Sequence, residues 1–270
     1  MLNDLIVPTS IVGGMGLLLG LGLSIASKMF EVKVDERIVR VREVLPGANC
    51  GACGQSGCDA FAKSVVSKQS KINGCPVGGQ EVADKIGEIL GIKAEAVVEK
   101  TARVMCAGTY DTCKVKYDYS GIEDCASAAG LFAGPSACSY GCVGLGNCVK
   151  ACAFDAIIVE NGLARVIEAK CRACGKCIEA CPKKIIEMVS KKGEYAVTCS
   201  SMDKGAVVRK NCTVGCIGCG KCSKVCPVGA VTVNGTLAKI NSDVCTNCGE
   251  CAAVCPTGAI KKIICCIGSK

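Results

Sequence analysis

Three short segments of the chain repeat one cysteine spacing, which constrains the possible folds more than any other feature of the sequence. Each segment has the pattern Cys-x2-Cys-x2-Cys-x3-Cys-Pro, beginning at Cys171, Cys216 and Cys245. Three thiolates at positions i, i+3 and i+6 of a tight loop hold one cubane iron–sulfur cluster, and the fourth cysteine ligates the other cluster of a pair. The repeat therefore predicts small domains built around [4Fe–4S] clusters.

A looser fourth copy precedes these three. Its cysteines are Cys138, Cys142, Cys148 and Cys152, and alanine stands where the other copies have proline. We number the copies one to four in chain order. The last cysteines of copies one and two are as far apart as those of copies three and four, whereas copies two and three are further apart. The copies therefore pair as one with two and three with four.

Under the crossover rule, the fourth cysteine of each copy joins the first three cysteines of its pair mate. This rule predicts four ligand sets: Cys138, Cys142 and Cys148 with Cys181; Cys171, Cys174 and Cys177 with Cys152; Cys216, Cys219 and Cys222 with Cys255; and Cys245, Cys248 and Cys251 with Cys226. Zinc ribbons also use paired Cys-x2-Cys. Three cysteines in one short loop followed by Cys-Pro are not typical of them, so iron–sulfur clusters are favoured.

A fifth set of cysteines lies upstream of the repeats. Its members are Cys50, Cys53, Cys58 and Cys75, within glycine-rich loops. Four thiolates suit another [4Fe–4S] cluster, and a structural zinc site is the alternative. Residues 59–67 are predicted to form a helix whose positive end faces this site. Residues 81–104 are predicted to form one or two amphipathic helices, interrupted near Gly91.

Composition excludes several other kinds of site. The chain has 270 residues with 27 cysteines and no histidine, which excludes Ser-His-Asp catalysis, haem attached through C-x-x-C-H, Rieske centres and Cys2His2 zinc fingers. No residue is predicted to be catalytic. The formal net charge of +8 counts cysteines as neutral. Five ligated clusters of about −2 each would bring the total near zero, so no nucleic-acid partner is predicted.

The N-terminal segment is uncharged from Leu5 to Ala26, which is long enough for one membrane-spanning helix of about 20 residues. A cleaved signal peptide is the alternative, but the segment lacks a basic region before its apolar run. Lysines and arginines follow the segment. The positive-inside rule then predicts a single-pass anchor in the cell (inner) membrane, with the bulk of the chain in the cytoplasm.

Seven cysteines fall outside these five sets. They are Cys106, Cys113, Cys125, Cys199, Cys212, Cys265 and Cys266. The first three are candidates for an additional three-thiolate metal site with an outside ligand, and Cys199 and Cys212 for residues that flank the cluster of copy three. The alternative is that all seven are small buried apolar residues, which free cysteine often resembles.

The predicted fold class is α+β, with a transmembrane helix, a small mainly α iron–sulfur domain, and two tandem ferredoxin-like modules of two clusters each. The predicted units are an anchor (1–28), a one-cluster 4Fe-4S domain (29–105), a connector (106–132), module 1 (133–190) and module 2 (191–270). A short apolar run follows each copy and is typical of a strand. The predicted cofactors are about five [4Fe–4S] clusters.

Taken together, the anchor, the segment GANCGACGQSGC with its distal Cys-Pro, the segment ACSYGCVGLGNCVKAC and the ferredoxin repeats resemble the B subunit of the Rnf-type ion-translocating ferredoxin:NAD⁺ oxidoreductase complexes. The resemblance covers nearly the whole chain. It implies an electron-transfer subunit of a translocase that accepts electrons from reduced ferredoxin at the cytoplasmic face. It also implies partner membrane and flavoprotein subunits that reduce NAD and move Na⁺ or H⁺.

Two other functions remain open from the sequence. One is a polyferredoxin wire of a hydrogenase or a heterodisulfide-reductase-type complex, and the other is a non-catalytic iron store or sensor. Lysines beside the clusters are predicted to stabilise the reduced clusters and to steer an acidic ferredoxin, with plain solubility as the alternative. These lysines are Lys176, Lys183, Lys184 and Lys221.

Overall fold

The computed structural model describes residues 2–29 and 35–263. Its helices are α1 (Leu2–Met29), α2 (Glu36–Val44), α3 (Cys58–Val66), α4 (Gly79–Leu90), α5 (Cys125–Gly130), α6 (Asn147–Lys150), α7 (Lys176–Ala180), α8 (Gly205–Asn211), α9 (Lys221–Val225) and α10 (Glu250–Ala253). Its strands are β1 (Lys100–Val104), β2 (Ile157–Glu160), β3 (Leu163–Val166), β4 (Ile186–Ser190), β5 (Tyr195–Val197), β6 (Val231–Asn234), β7 (Leu237–Ile240) and β8 (Ile260–Lys262). The α+β class is thus confirmed.

Helix α1 contains the uncharged N-terminal segment and carries Lys28 in its last turn. Leu18 and Leu23 on this helix are 73% and 72% exposed. Over residues 2–29 and 35–263, no helix is found that combines the length and the apolarity needed to cross a membrane. The predicted transmembrane segment stays a prediction.

Helices α2, α3 and α4 form a small domain around one apolar core. Val41, Phe61 and Ile86 are fully or almost fully buried there, one from each helix. Helix α3 begins at Cys58, within one residue of its predicted start. Helix α4 ends at Leu90, and the left-handed conformation of the next residue, Gly91 (φ +66°), terminates it as glycine commonly does. The helical domain therefore packs directly behind the loops that carry Cys50 to Cys58.

The sequence predicts that residues 81–104 form one or two helices interrupted near Gly91; helix α4 confirms the part before Gly91, and the part after it is wrong. Strand β1 occupies residues 100–104 and pairs antiparallel with β4, with Ala102 opposite Met188. Thr101, Ala102 and Arg103 are all buried. Pairing with a distant strand overrode the local helical pattern, as tertiary context often does. Residues 100–104 thus join the sheet of module 1, although the sequence placed them in the helical domain.

Each ferredoxin-like module contains two small antiparallel sheets. In module 1 these are β2–β3 and β1–β4, and in module 2 they are β6–β7 and β5–β8. The strands predicted after each motif are present as β2, β4, β6 and β8. Short strands with one apolar face pack against the motif helices, so motif cysteines contribute directly to both cores.

Residues 106–132, predicted as a connector, contact both modules. The backbone N–H of Lys114 donates to the carbonyl of Asn211 (2.9 Å), and the N–H of Thr213 donates to the carbonyl of Thr112 (2.9 Å). On the other side, the backbone N–H of Tyr110 donates to the carbonyl of Asn161 in module 1 (3.2 Å). These bonds fix the segment between module 1 and module 2 and hold the two modules together.

Candidate metal centres

The first candidate site lies in the helical domain. One cavity is lined by all four cysteines that the sequence grouped there: Cys50, Cys53, Cys58 and Cys75. The backbone N–H of Cys58 donates to the side-chain oxygen of Asn49 (2.8 Å). Gly51 and Gly54 adopt positive φ angles (+76° and +78°), which only glycine adopts without strain. We call this the helical-domain site.

Copies two, three and four share one backbone conformation. In each, two residues between the first and third cysteines have positive φ, and a short helix begins just before the third cysteine: α7, α9 or α10. In copy three the two residues are Gly218 and Gly220. A methyl group on Gly218 would lie 2.7 Å from the carbonyl of Thr236, so the loop rests directly on the β6–β7 turn.

Copy one has the same conformation, but in a different register from the predicted one. Its positive-φ residues are Gly144 and Gly146, and helix α6 begins immediately afterwards. The motif therefore starts at Cys142 rather than at Cys138. In this register Leu145 occupies the position of the second cysteine.

Cys125 supplies the missing thiol of copy one. One cavity is lined by Cys125, Cys142, Cys148 and Cys181. Cys125 begins helix α5, and its backbone N–H donates to the side-chain oxygen of Asn147 (2.8 Å). The predicted set had Cys138 in this place, which the structure corrects. The fourth member, Cys181, comes from copy two as the crossover rule predicts. We call this the copy-one site.

The predicted sets of copies two, three and four are arranged as follows. Cys216, Cys219, Cys222 and Cys255 line a single cavity, the copy-three site. Besides burial, the charges of Cys171, Cys174 and Cys152 raise the pKa of the Cys177 thiol, so these four thiols lie near one another. They form the copy-two site. Besides burial, the charges of Cys245 and Cys248 raise the pKa of the nearby Cys251 thiol. Cys226 packs against the same core as Cys251. These last four form the copy-four site.

Backbone N–H groups point at several of these sulfurs. Ala156 N–H donates to the sulfur of Cys152 (3.4 Å), Ala102 N–H to that of Cys171 (3.5 Å), and Asn247 N–H to that of Cys245 (3.4 Å). Such bonds stabilise a sulfur that carries negative charge. Sites made only of cysteine, with N–H donors to the sulfurs, suit iron–sulfur clusters.

Five further cysteines surround a separate cavity between the modules: Cys106, Cys113, Cys138, Cys199 and Cys212. We call it the inter-module cavity. The sequence had grouped Cys106 and Cys113 with Cys125, and the structure separates them because Cys125 belongs to the copy-one site. The sequence carried one signal for this arrangement. If copy one begins at Cys142, Leu145 stands at the position of the second cysteine, and Cys138 lies outside the motif. Cys265 and Cys266 lie outside the described residues.

Burial keeps several of these thiols neutral in the protein without metal. It raises the pKa of Cys148 to about 12 and that of Cys177 to about 11. Metal binding displaces such protons, because the thiolate is the ligand. Across residues 2–29 and 35–263, no group of three or more cysteine or carboxylate side chains is gathered closely enough to hold a single metal ion.

Comparison with known proteins identifies the family. The FeS family model, which describes an Fe-S cluster, matches residues 45–77, and the model of the 4Fe-4S dicluster domain matches residues 170–230 and 215–259. The chain is 48% identical to the B subunit of the Na⁺-translocating ferredoxin:NAD⁺ oxidoreductase complex of Acetobacterium woodii, over 90% of this chain and 73% of that protein. The chain belongs to the family of B subunits of ion-translocating oxidoreductase complexes.

Two other B subunits extend the comparison. That of the ion-translocating oxidoreductase complex of Methanosarcina acetivorans is 43% identical over 90% of this chain and 92% of its own length. That of the proton-translocating ferredoxin:NAD⁺ oxidoreductase complex of Clostridium ljungdahlii is 39% identical over 90% of this chain and 86% of its own length. The Fe-S and 4Fe-4S domains of the present chain fit an electron-transfer role. The matched ranges exclude most of the copy-one site and of the inter-module cavity.

Proposed function

We propose that this chain is the electron-transfer subunit of a ferredoxin:NAD⁺ oxidoreductase that translocates ions. The relatives named above are subunits of such complexes. The observation that carries the proposal is the series of cysteine sets through the fold, three of which line cavities of four cysteines each. When bound, a [4Fe–4S] cluster supplies one-electron transfer without a bond to substrate.

The sets adjoin one another in an order that suits a relay. Cys50 of the helical-domain site is near enough to Cys174 of the copy-two site for its charge to add to the effect of burial in raising the pKa of the Cys174 thiol. The charge of Cys177 in turn adds to the effect of burial in raising the pKa of the nearby Cys148 thiol of the copy-one site. In module 2, Cys251 is similarly near Cys222. The side chains therefore connect the helical domain to module 1, and the two sites of module 2 to each other.

Module 2 provides the entry point for electrons in this proposal. Among the described cysteines, the exposed ones are Cys219 and Cys248, both in module 2. Lys221 is also exposed, two residues from Cys219. Lys183, by contrast, donates to the carbonyls of Ala133 (2.6 Å) and Ser139 (2.8 Å), so it secures the fold instead. A basic, exposed surface beside the copy-three site suits an acidic ferredoxin.

The helical domain provides the exit towards the partner subunits, and α1 attaches the chain to the membrane. The uncharged segment within α1, its exposed leucines and the lysines and arginines after it support a single-pass anchor with the bulk of the chain in the cytoplasm. One helix is too little to form an ion path, so flavoprotein and membrane partners carry NAD reduction and the movement of Na⁺ or H⁺.

The test uses the assembled complex, purified anaerobically with either the native chain or the variant Cys50→Ser. Reduced ferredoxin should bleach the visible absorbance of both complexes. Only the native complex should reduce NAD⁺, because the variant lacks the exit site. Undiminished NAD⁺ reduction by the variant would show that electrons do not leave through the helical domain. Failure of ferredoxin to bleach the native complex would refute the proposed function.

Membrane attachment has its own test. The full chain should sediment with membranes, and a chain without residues 1–29 should not. Protease added to intact cells should leave the bulk of the chain undigested. Protease added to inverted membrane vesicles should digest it. Digestion in intact cells would contradict the cytoplasmic orientation.

A further inference from the structure

The loop after helix α5 holds an aromatic side chain out into solvent. Phe132 is 83% exposed, and its neighbour Leu131 is 52% exposed. Phe132, Ala133 and Gly134 all have positive φ angles (+48°, +63° and +96°). A bulky residue rarely adopts this conformation, and Phe132 is the one aromatic residue that does so in the described part of the chain. Backbone outliers of this kind cluster at functional sites. We call residues 131–133 the Phe132 loop.

Three side chains fix the Phe132 loop in this conformation. Its three carbonyls accept hydrogen bonds, in chain order, from the hydroxyl of Tyr117 (2.6 Å), Nζ of Lys116 (2.7 Å) and Nζ of Lys183 (2.6 Å). The ring of Tyr117 also contacts that of Phe132 edge to face, with 6.5 Å between the ring centroids. The loop is therefore ordered before anything binds to it, which lowers the entropy cost of docking.

Two lysines place positive charge at the base of the Phe132 loop. Burial and the nearby charge of Lys116 lower the pKa of Lys183, so the two ammonium groups lie close to each other. Over residues 2–29 and 35–263, neither lysine forms an ion pair with a carboxylate. Lys116 is exposed and uses one of its three N–H donors on the loop. A carboxylate from another protein would pair with Lys116 and offset the repulsion between the two lysines.

The Phe132 loop also adjoins the copy-one site. Helix α5 runs from Cys125, a member of that site, to the residue before the loop. Lys183 lines the cavity of the copy-one site and at the same time donates to the loop. A protein seated on the loop would therefore be held beside the cysteines of the copy-one site.

We propose that the Phe132 loop is the docking surface for another subunit of the complex, one that offers an apolar pocket to the ring of Phe132 and a carboxylate to Lys116. Aromatic side chains that fill a pocket on the partner are typical of the residues that dominate binding. A lipid surface fits less well, because membrane binding scales with buried apolar area and this loop offers two neighbouring apolar side chains. The identity of the partner rests on the proposed function, whereas the exposed surface does not.

The first test identifies the occupant in the assembled complex. The photoreactive amino acid p-benzoylphenylalanine replaces Phe132 in the full chain, and the purified complex is illuminated. We expect a cross-link to one other subunit, at a peptide that contains both apolar and acidic residues. Cross-links only to lipid, only to a second copy of this chain or only within the chain would overturn the proposal. So would the same partner peptide from a probe in place of Met202, which is 60% exposed in module 2.

The second test measures how tightly the full chain binds the remaining subunits, purified in detergent without it. Phe132→Asn should weaken binding about tenfold or more, as the loss of a dominant aromatic contact does. Asparagine adopts positive φ more readily than phenylalanine, so the iron content and the unfolding midpoint should not fall. Ala133→Gly is the matched control, because it keeps both the loop conformation and the ring. Native affinity of Phe132→Asn, or equal weakening by the two variants, would overturn the proposal.

A third test examines the charge. Lys116→Gln should weaken binding several-fold at low salt, and the difference should disappear at high salt, where exposed charges are screened. Lys114→Gln is the control, because Lys114 is exposed nearby and its side chain is not among those that bond to the Phe132 loop. Equal effects of the two variants would remove the specific carboxylate from the proposal.

The outcomes separate this inference from the proposed function. A Phe132→Asn complex that assembles with native affinity, and that ferredoxin still bleaches, would overturn the docking surface and leave the proposed function standing. A native complex that gives the expected cross-link, but that ferredoxin does not bleach, would refute the proposed function and leave the docking surface standing.

Discussion

The backbone N–H of Cys125 donates a hydrogen bond of 2.8 Å to the side-chain oxygen of Asn147, which opens helix α6 in the copy-one loop. The side-chain amide of Asn147 in turn donates to the carboxylate of Asp124. Asp124 also caps helix α5 by accepting from the N–H of Ser127 (2.7 Å). One asparagine thus joins the α5 segment to a motif loop and positions a distant thiol where the motif itself has leucine.

The copy-one register predicts a rescue experiment. Cys125→Ser should lose about four iron atoms per chain, because the copy-one site then has three thiols. The double variant Cys125→Ser/Leu145→Cys should recover them, because position 145 corresponds to the second cysteine of copies two, three and four. Anaerobic iron and sulfide analysis measures both effects.

A control checks the register itself. Leu145→Cys alone should bind no additional iron, since the copy-one site already has its four thiols. If the double variant does not recover iron while its circular dichroism matches that of the native protein, the register that begins at Cys142 is wrong.

Most of the motif geometry could be predicted from sequence, because ligand spacing within a loop is a local property. The α3 helix, the strands after each copy and the grouping of Cys216, Cys219 and Cys222 follow from local patterns, and the crossover rule adds Cys255 to this group. Cys125 could not be placed in this way, since its position depends on a hydrogen bond to Asn147 across a loop. Strand β1 was not predicted for a similar reason, because its partner strand β4 lies in another predicted domain.

Gly218 and Gly229 provide a matched pair for testing how the copy-three loop is supported. Both have positive φ (+66° and +64°), so alanine at either position costs about 1–2 kcal/mol of backbone strain. Only at position 218 would the methyl group meet backbone, 2.7 Å from the carbonyl of Thr236; at position 229 nothing lies within 4 Å. Gly218→Ala should therefore lower the unfolding midpoint in guanidinium further than Gly229→Ala, and should reduce the iron content. Equal midpoints would mean that the loop does not rest on the β6–β7 turn.

Arg103 links strand β1 to two other segments from a buried position. Its guanidinium donates to the carbonyl of Gly193 (2.6 Å), and its Nη2 lies 3.9 Å from the carboxylate of Glu168. The first contact is short and buried, whereas the second is at the limit of an ion pair, so we assign the main effect to the charged hydrogen bond. Arg103→Met should lower the free energy of unfolding by about 1.5–3 kcal/mol. Thermal unfolding under anaerobic conditions measures it.

Arg165→Met is the control for that substitution. Arg165 pairs with Glu160 at 3.4 Å on the surface, with about half of each side chain exposed. Exposed pairs contribute about 0–1 kcal/mol, so this variant should unfold close to the native temperature. Arg165→Met as destabilised as Arg103→Met would show that burial is not what makes Arg103 important.

Electron entry from ferredoxin should depend on ionic strength, because the exposed lysines beside the copy-three site act through long-range attraction. The Debye length falls from about 30 Å at 0.01 M salt to about 8 Å at 0.15 M. The second-order rate of reduction by ferredoxin should fall about tenfold over this range, as electrostatically steered associations do. Lys221→Gln should lower the rate at low salt and flatten its salt dependence. Lys85→Gln removes the same charge from helix α4, where Lys85 pairs with Glu81 at 2.6 Å, and should leave both unchanged. Equal effects of the two variants, or a native rate independent of salt, would place ferredoxin docking elsewhere on the molecule.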